Sequence, residues 1–274
     1  MEPPPARDLL GYRVAMATCD PDLTDYLRRL YAAFPEAAGA DHRYSIEPND
    51  DGRFAFLVDG EPAGAADHPE GVVSVLVNHC NRQVAEQALQ VLVHAGGVER
   101  DGTAVVLPAQ MESGKTTLTT GLVRAGFRYL TDEAVAIDRA TRRVVPYPKP
   151  MTLDRGSWPL FPELEPDEPF GTDGYKKTQW QVPPAAIRAD AVGAACAVGF
   201  VVFPVYTEGA TTELVPLTRG EALVELAKNT FRFDKEGRPT LEVLAEVVRH
   251  ADVYRLPNGD LGEAVAAISR LVDG

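Results

Sequence analysis

Three stretches of the chain carry residue types whose chemistry could combine. Residues 109–116, Ala-Gln-Met-Glu-Ser-Gly-Lys-Thr, fit the pattern Gly-x-x-x-x-Gly-Lys-[Ser/Thr], except that Ala109 stands at the first glycine. A loop of this kind, opening a helix, turns successive backbone N–H groups toward a phosphate. A lysine then reaches the outer phosphates and a hydroxyl reaches Mg2+. Gly114, Lys115 and Thr116 supply that closing half, Ser113 and Thr117 add hydroxyls, and Gln110, Met111 and Glu112 form the body of the loop. Alanine is tolerated at the first position wherever φ stays negative, whereas Glu112 places an acid beside a polyphosphate. The acidic pair Asp132-Glu133 comes seventeen residues after Lys115. One short helix and one turn bring the chain back, which predicts that the pair sits on the strand adjacent to the loop. An acid there can take the proton of a hydroxyl or help hold Mg2+, so Asp132 reads as general base and Glu133 as a helper near the metal with Thr116. The competing reading is a pair that only starts a turn or pairs a surface arginine. His94 is the third group, able to contact a transferring phosphoryl group or to steady Asp132, and equally a structural histidine.

The elements around these residues must do the positioning. "TAVVL", the loop 108–114, a helix carrying Leu118 and Leu122, a stop at Gly126, then "FRYL" and "AVAID" give strand, loop, helix, strand, the order of an α/β core. Upstream, "YRVAMAT" (12–18) suits a strand. Asp20-Pro21 supply an N-cap and first-turn proline for a helix with Leu23, Leu27, Leu30 and Phe34 on one face, ended by Pro35. "RFAFLVDGEPAG" alternates and then turns, and "GVVSVLVN" (71–78) predicts a strand. Residues 81–93 place Val84, Ala88, Val91 and Leu92 at helical spacing, which leaves His94 between a helix and a turn. Residues 146–186, rich in Pro, Gly, Trp and acids, predict a long irregular excursion. Within it Arg155, Lys176 and Lys177 could clamp phosphate, and Trp158 and Trp180 could line a groove or anchor the segment. Arg232 is a weaker candidate of the same kind. "ACAVGFVVFPV" reads as a buried strand, "VYRL" (253–256) as a short one, and helices are expected at 218–229, 240–249 and 260–271.

Bulk properties narrow the function. The 274 residues are 45% hydrophobic and 24% charged, with no apolar run near the eighteen a membrane span needs. The start lacks the basic and apolar regions of a secretory signal, so a cytoplasmic protein is expected. Twenty-seven Lys and Arg against 40 Asp and Glu leave a formal charge of −13, which disfavours nucleic acid as a partner. Three scattered cysteines form no Cys-x-x-Cys pair, so neither a disulfide framework nor a thiolate zinc site is expected. His79 beside Cys80 lacks partners at metal spacing, and both read as structural.

His94, "LPAQMESGKTTL" and "GFRYLTDEAV" together resemble the catalytic domain of HPr kinase/phosphorylase and, more distantly, the nucleotide-binding core of phosphoenolpyruvate carboxykinase. The resemblance is closest over residues 94–138. Over nearly the whole chain, "VHAGGVERDGTAVVLPA", "YLTDE" and "YPKPMTLDRGSWP" look similar to HPr-kinase-like proteins of modified-peptide biosynthesis, notably lasso peptide kinases. The downstream Glu-x-Arg-Gly signature of HPr kinases is absent, so HPr is not carried over as substrate. The resemblance implies an α/β P-loop kinase domain over 91–274, with a small N-terminal α/β portion over 1–90. It further implies ATP and Mg2+ as cofactors, and transfer of the γ-phosphoryl group to a hydroxyl, first of all a serine of a peptide or small protein. A small-molecule hydroxyl kinase and a non-catalytic nucleotide-binding regulator are the alternatives. HPr kinases are hexamers, which implies a homo-oligomer.

Overall fold

In the computed structural model of the chain, residues 5–49, 52–67, 69–110, 113–165 and 179–274 are described. They form a mixed α/β structure that divides into two compact units, 1–88 with 149–186, and 89–148 with 187–274. The chain leaves the first unit after Ala88. Residues 149–186, which a division into 1–90 and 91–274 assigns to the second part, cluster with the first.

In the first unit, β1 (Ala6–Leu9), β2 (Tyr12–Thr18), helix α1 (Pro21–Leu30), β3 (Glu36–Ala37), β4 (His42–Pro48), β5 (Phe54–Val58) and β6 (Glu61–Ala66) precede helix α2 (Pro69–Gln87). The strands make one sheet in the order β3-β1-β2-β4-β5-β6. Asp20 caps α1, its carboxylate accepting from the Asp22 and Leu23 amides, with Pro21 in the first turn. Leu23, Leu27 and Leu30 are buried on one face of that helix. The helix stops at Leu30, before the expected end at Pro35.

Residues 71–78 belong to α2 rather than to a strand. Their β-branched content costs a helix only tenths of a kcal/mol per residue, and no Gly or Pro interrupts the sequence between Gly71 and Gly96. Val72, Val73, Leu76, Val77, Cys80 and Val84 are all buried, a spacing that covers one helical face. The helix ends at Gln87, so Val91 and Leu92 lie in the following strand instead.

The second unit begins with β7 (Val91–Arg100) and β8 (Thr103–Pro108), then α3 (Lys115–Arg124), β9 (Arg128–Thr131), β10 (Ala134–Ile137) and β11 (Arg143–Val145). The first unit resumes with β12 (Met151–Asp154) and β13 (Gln179–Val182), which pair antiparallel, so the expected irregular excursion contains a two-stranded sheet and, among its described residues, three 3₁₀ turns. β14 (Cys196–Tyr206), β15 (Val215–Pro216), α4 (Arg219–Lys228), α5 (Phe233–Glu236), α6 (Arg238–His250), β16 (Asp252–Asn258) and α7 (Leu261–Asp273) complete the second unit.

Its sheet runs β11-β10-β7-β8-β14-β16-β15, with β9 also on β7 and β11 also on β14. β8, β14 and β16 are parallel, and β7 lies antiparallel between β8 and the successive strands β9 and β10. The acidic pair is therefore one strand further from the loop than expected, because β7 intervenes. Alternation along β7 sends Val91, Val93 and Ala95 into the apolar core with Leu130, Val135 and Val201. It leaves His94 and Gly96 on the opposite face, where α3 packs. His94 is thus a strand residue, paired with Ala134, and not a loop residue.

Candidate functional site

The turn into α3 is made by Gly114 at φ +81°, a left-handed conformation that glycine adopts without strain. Gly114, the N-cap, has no side chain to cap the helix, and among the described residues no side chain takes its place, which leaves the first amide groups of the helix facing the loop. Lys115 is buried, and its Nζ donates to the Gln110 carbonyl at 2.6 Å, folding the lysine back along the loop. The Ser113 Oγ is buried without a hydrogen-bond partner among the described residues. A buried hydroxyl with no partner among the described residues, beside a lysine and a helix N-terminus, fits an anionic oxygen. Ala109 ends the run of buried positions from β8; Met111 and Glu112 lie outside the described residues.

Asp132 is 2% exposed. The Thr116 hydroxyl donates to its Oδ2 at 2.9 Å and the Tyr129 phenol donates to its Oδ1 at 2.7 Å. The carboxylate beside Thr116 is thus Asp132, whereas Glu133 stands next to His94, with Oε1 3.8 Å from the imidazole Nε2. That separation is too long for a hydrogen bond. Burial pushes the His94 pKa down to about 4, helped by the charge of Lys115 and opposed by Asp132. His94 is accordingly neutral at physiological pH, and its approach to Glu133 is not an ion pair. Burial also lowers the Lys115 pKa, with Glu133 and Asp132 holding it up. Thr117, next in the first turn, is half-buried.

Two further residues, not among the candidates named from the sequence, complete the cluster. Asn229, buried at the end of α4, accepts from Gln110 Nε2 through its Oδ1 at 3.1 Å, and its backbone carbonyl accepts from the His94 amide at 2.6 Å. It joins the loop to β7 from more than a hundred residues away. Tyr129, the second, lies three positions before Asp132, where strand alternation alone would send the two side chains to opposite faces.

The remaining candidates fall elsewhere. Arg155 belongs to the first unit, with its guanidinium 5.9 Å from the Trp158 ring, and Trp158 stacks on Trp180 at 4.8 Å. Lys176 and Lys177 lie outside the described residues. Arg232 pairs with Glu236 at 3.0 Å, and Glu236 also binds Arg139, so Arg232 is part of an ion network at the start of α5. His79 contacts the Tyr44 hydroxyl at 2.9 Å, with Cys80 buried beside it in the sequence. Among the described residues no group of three or more His, Cys, Asp or Glu side chains forms a metal cluster, and no helix is long and apolar enough to cross a membrane.

No protein-family model matches the chain, and no curated protein matches it. Among solved structures, the chain is similar to the HPr(Ser) kinase/phosphatase from Coxiella burnetii, with 14% identity and a TM-score of 0.32, over 67% of this chain and 99% of that one.

Proposed function

We propose that the second unit is an ATP-dependent phosphotransferase that moves the γ-phosphoryl group to a hydroxyl, with a serine of a peptide or small protein as acceptor. The observation that carries this reading is the contact between the first turn of α3 and a buried acid, Thr116 Oγ1 to Asp132 Oδ2. It sets a buried carboxylate at a glycine turn where, among the described residues, helix amides, Lys115 and Ser113 supply donors.

In this reading the α3 amides and Ser113 receive phosphate oxygens, and Lys115 exchanges the Gln110 carbonyl for the outer phosphates. Thr116 and Glu133 are the residues assigned to hold Mg2+, which when bound supplies charge neutralisation at the phosphates. An acceptor hydroxyl seated beside Thr116 addresses Asp132 Oδ2. Its oxygen bonds to the γ-phosphorus while the bond from that phosphorus to the β,γ-bridging oxygen breaks. The electron pair of that bond leaves with ADP, and the hydroxyl proton passes to the Asp132 carboxylate. His94, neutral, faces the same side of β7 and can accept or donate a hydrogen bond without adding charge. Positioning and electrostatic neutralisation supply most of the acceleration.

The test is incubation with ATP, Mg2+ and a panel of serine peptides and hydroxylated metabolites, read by mass for an added phosphoryl group. Asp132→Asn is expected to lower turnover at least about a hundredfold while nucleotide affinity stays within a few-fold. Modification of metabolites alone would replace the peptide acceptor with a small molecule. Nucleotide binding with no acceptor modified would make the protein a nucleotide-binding regulator, and no binding at all would end the reading.

A further inference from the structure

We infer that Tyr129 is a positioning residue for Asp132, and that a bulge in β9 exists to bring the two together. The inference rests on the reading of Asp132 as the acid that handles the acceptor proton. Pairing of β9 with β7 runs Glu99↔Arg128 and Val98↔Tyr129, then shifts to Gly97↔Thr131, which leaves Leu130 as the extra residue. The Gly97↔Thr131 register continues into His94↔Ala134 on β10, so Asp132 falls opposite Gly96. Tyr129, opposite Val98, and Asp132, opposite Gly96, then share one face of the sheet, although three residues separate them. Without the bulge their side chains would point to opposite faces.

That shared face is the one covered by α3. A Cβ built on Gly96 would point at Thr119 of α3, whereas one on Gly97 would point at Val135 and Leu130 in the core. Leu130, the bulged residue, is fully buried on the core side, which anchors the bulge. Tyr129 is anchored as well: its amide donates to the Ala191 carbonyl, its carbonyl accepts from the Gly193 amide, and its ring is fully buried. A phenol held this firmly fixes the Asp132 carboxylate plane through the 2.7 Å bond to Oδ1, and presents Oδ2 toward Thr116. Tyr129 touches no reacting atom in this arrangement. Its effect is to decide which carboxylate oxygen meets the acceptor.

The inference predicts that Tyr129→Phe, which removes the hydroxyl and keeps the ring, lowers kcat about tenfold or more while the KM for ATP stays within about twofold. Tyr254→Phe on β16 serves as the control and leaves both constants unchanged. Unchanged kcat in Tyr129→Phe overturns the inference. A second measurement does not depend on the protein being a kinase. In protein labelled with 13C at the aspartate carboxyl carbon, the resonance lost in Asp132→Asn is expected to move in Tyr129→Phe and to stay in Tyr254→Phe. An unmoved resonance overturns the inference whatever the activity, and a moved one without any phosphoryl transfer keeps the contact while ending the kinase reading. Should Tyr129→Phe not fold, 3-fluorotyrosine in the wild type and in Asp132→Asn carries the same comparison. One of the nine tyrosine resonances is expected to shift, and none shifting overturns the inference.

Discussion

His94 shows how a single residue links the site to stability. Its imidazole is partly buried near Lys115, and its pKa falls from the ordinary 6.5 to about 4 on folding. Between those two values the unfolded chain binds a proton that the folded chain refuses. The unfolding free energy therefore falls as pH drops from about 6.5 toward 4, and is unaffected by this residue above 6.5. A shift of this size corresponds to roughly 3 kcal/mol across the window. Chemical denaturation of the wild type and of His94→Gln at pH 7, 6, 5 and 4.5 should therefore show a shallower acid slope in the variant; parallel slopes would remove this account. His79, whose pKa burial also lowers, adds a loss of the same sign and remains in both proteins. Neutral His94 also bears on chemistry. It can orient Glu133 or an acceptor without competing with Lys115 for negative charge, which a cationic imidazole would do.

Gly96 governs how closely α3 and β7 approach. A methyl group there would stand 2.4 Å from the Thr119 Oγ1, which is itself fully buried and has no hydrogen-bond partner among the described residues. In Gly96→Ala either the Thr119 side chain turns away or α3 moves outward, carrying Thr116 away from Asp132. A destabilisation of about 1–3 kcal/mol is expected, as for other overpacked cores, with much of it restored by adding Thr119→Ala. Equilibrium unfolding of the two single variants and the double variant checks this, and additive losses would count against it. The same pair of elements shows where a sequence is informative. The strand, glycine turn and helix from β8 into α3 are readable because strand alternation, Gly114 and helical spacing are all local. Asp132 was readable as an acid soon after the loop. Its neighbours were not: the intervening β7, the bulge at Leu130 and the reach of Asn229 to Gln110 are set by non-local pairing. Residues 71–78 differ from the expected strand for the opposite reason, since local β-branched preference there is outweighed by burial of one face of a 19-residue helix.

At the scale of the molecule, charge is the property that meets the proposed ligand first. The formal balance of 27 cations against 40 anions gives −13, and the charges acting most directly on Lys115 are the nearby Glu133 and Asp132. On the proposed function, a nucleotide polyanion approaching this protein would be repelled at long range and attracted on reaching the loop. The Debye length shrinks from about 30 Å at 0.01 M salt to about 10 Å at 0.1 M, so added salt screens the long-range repulsion. The short contacts that the proposed function assigns to Lys115 and the helix amides would be screened far less. The association rate for ATP with Mg2+ should therefore rise as monovalent salt increases from about 0.01 to 0.1 M, by a few-fold, while the dissociation rate changes little. This is the reverse of the fall that a cationic binding face would show. Stopped-flow fluorescence with a labelled nucleotide measures both rates. An association rate that falls with salt would mean that a local positive field, not the net charge, controls access to the loop, and would direct attention to cations beyond Lys115.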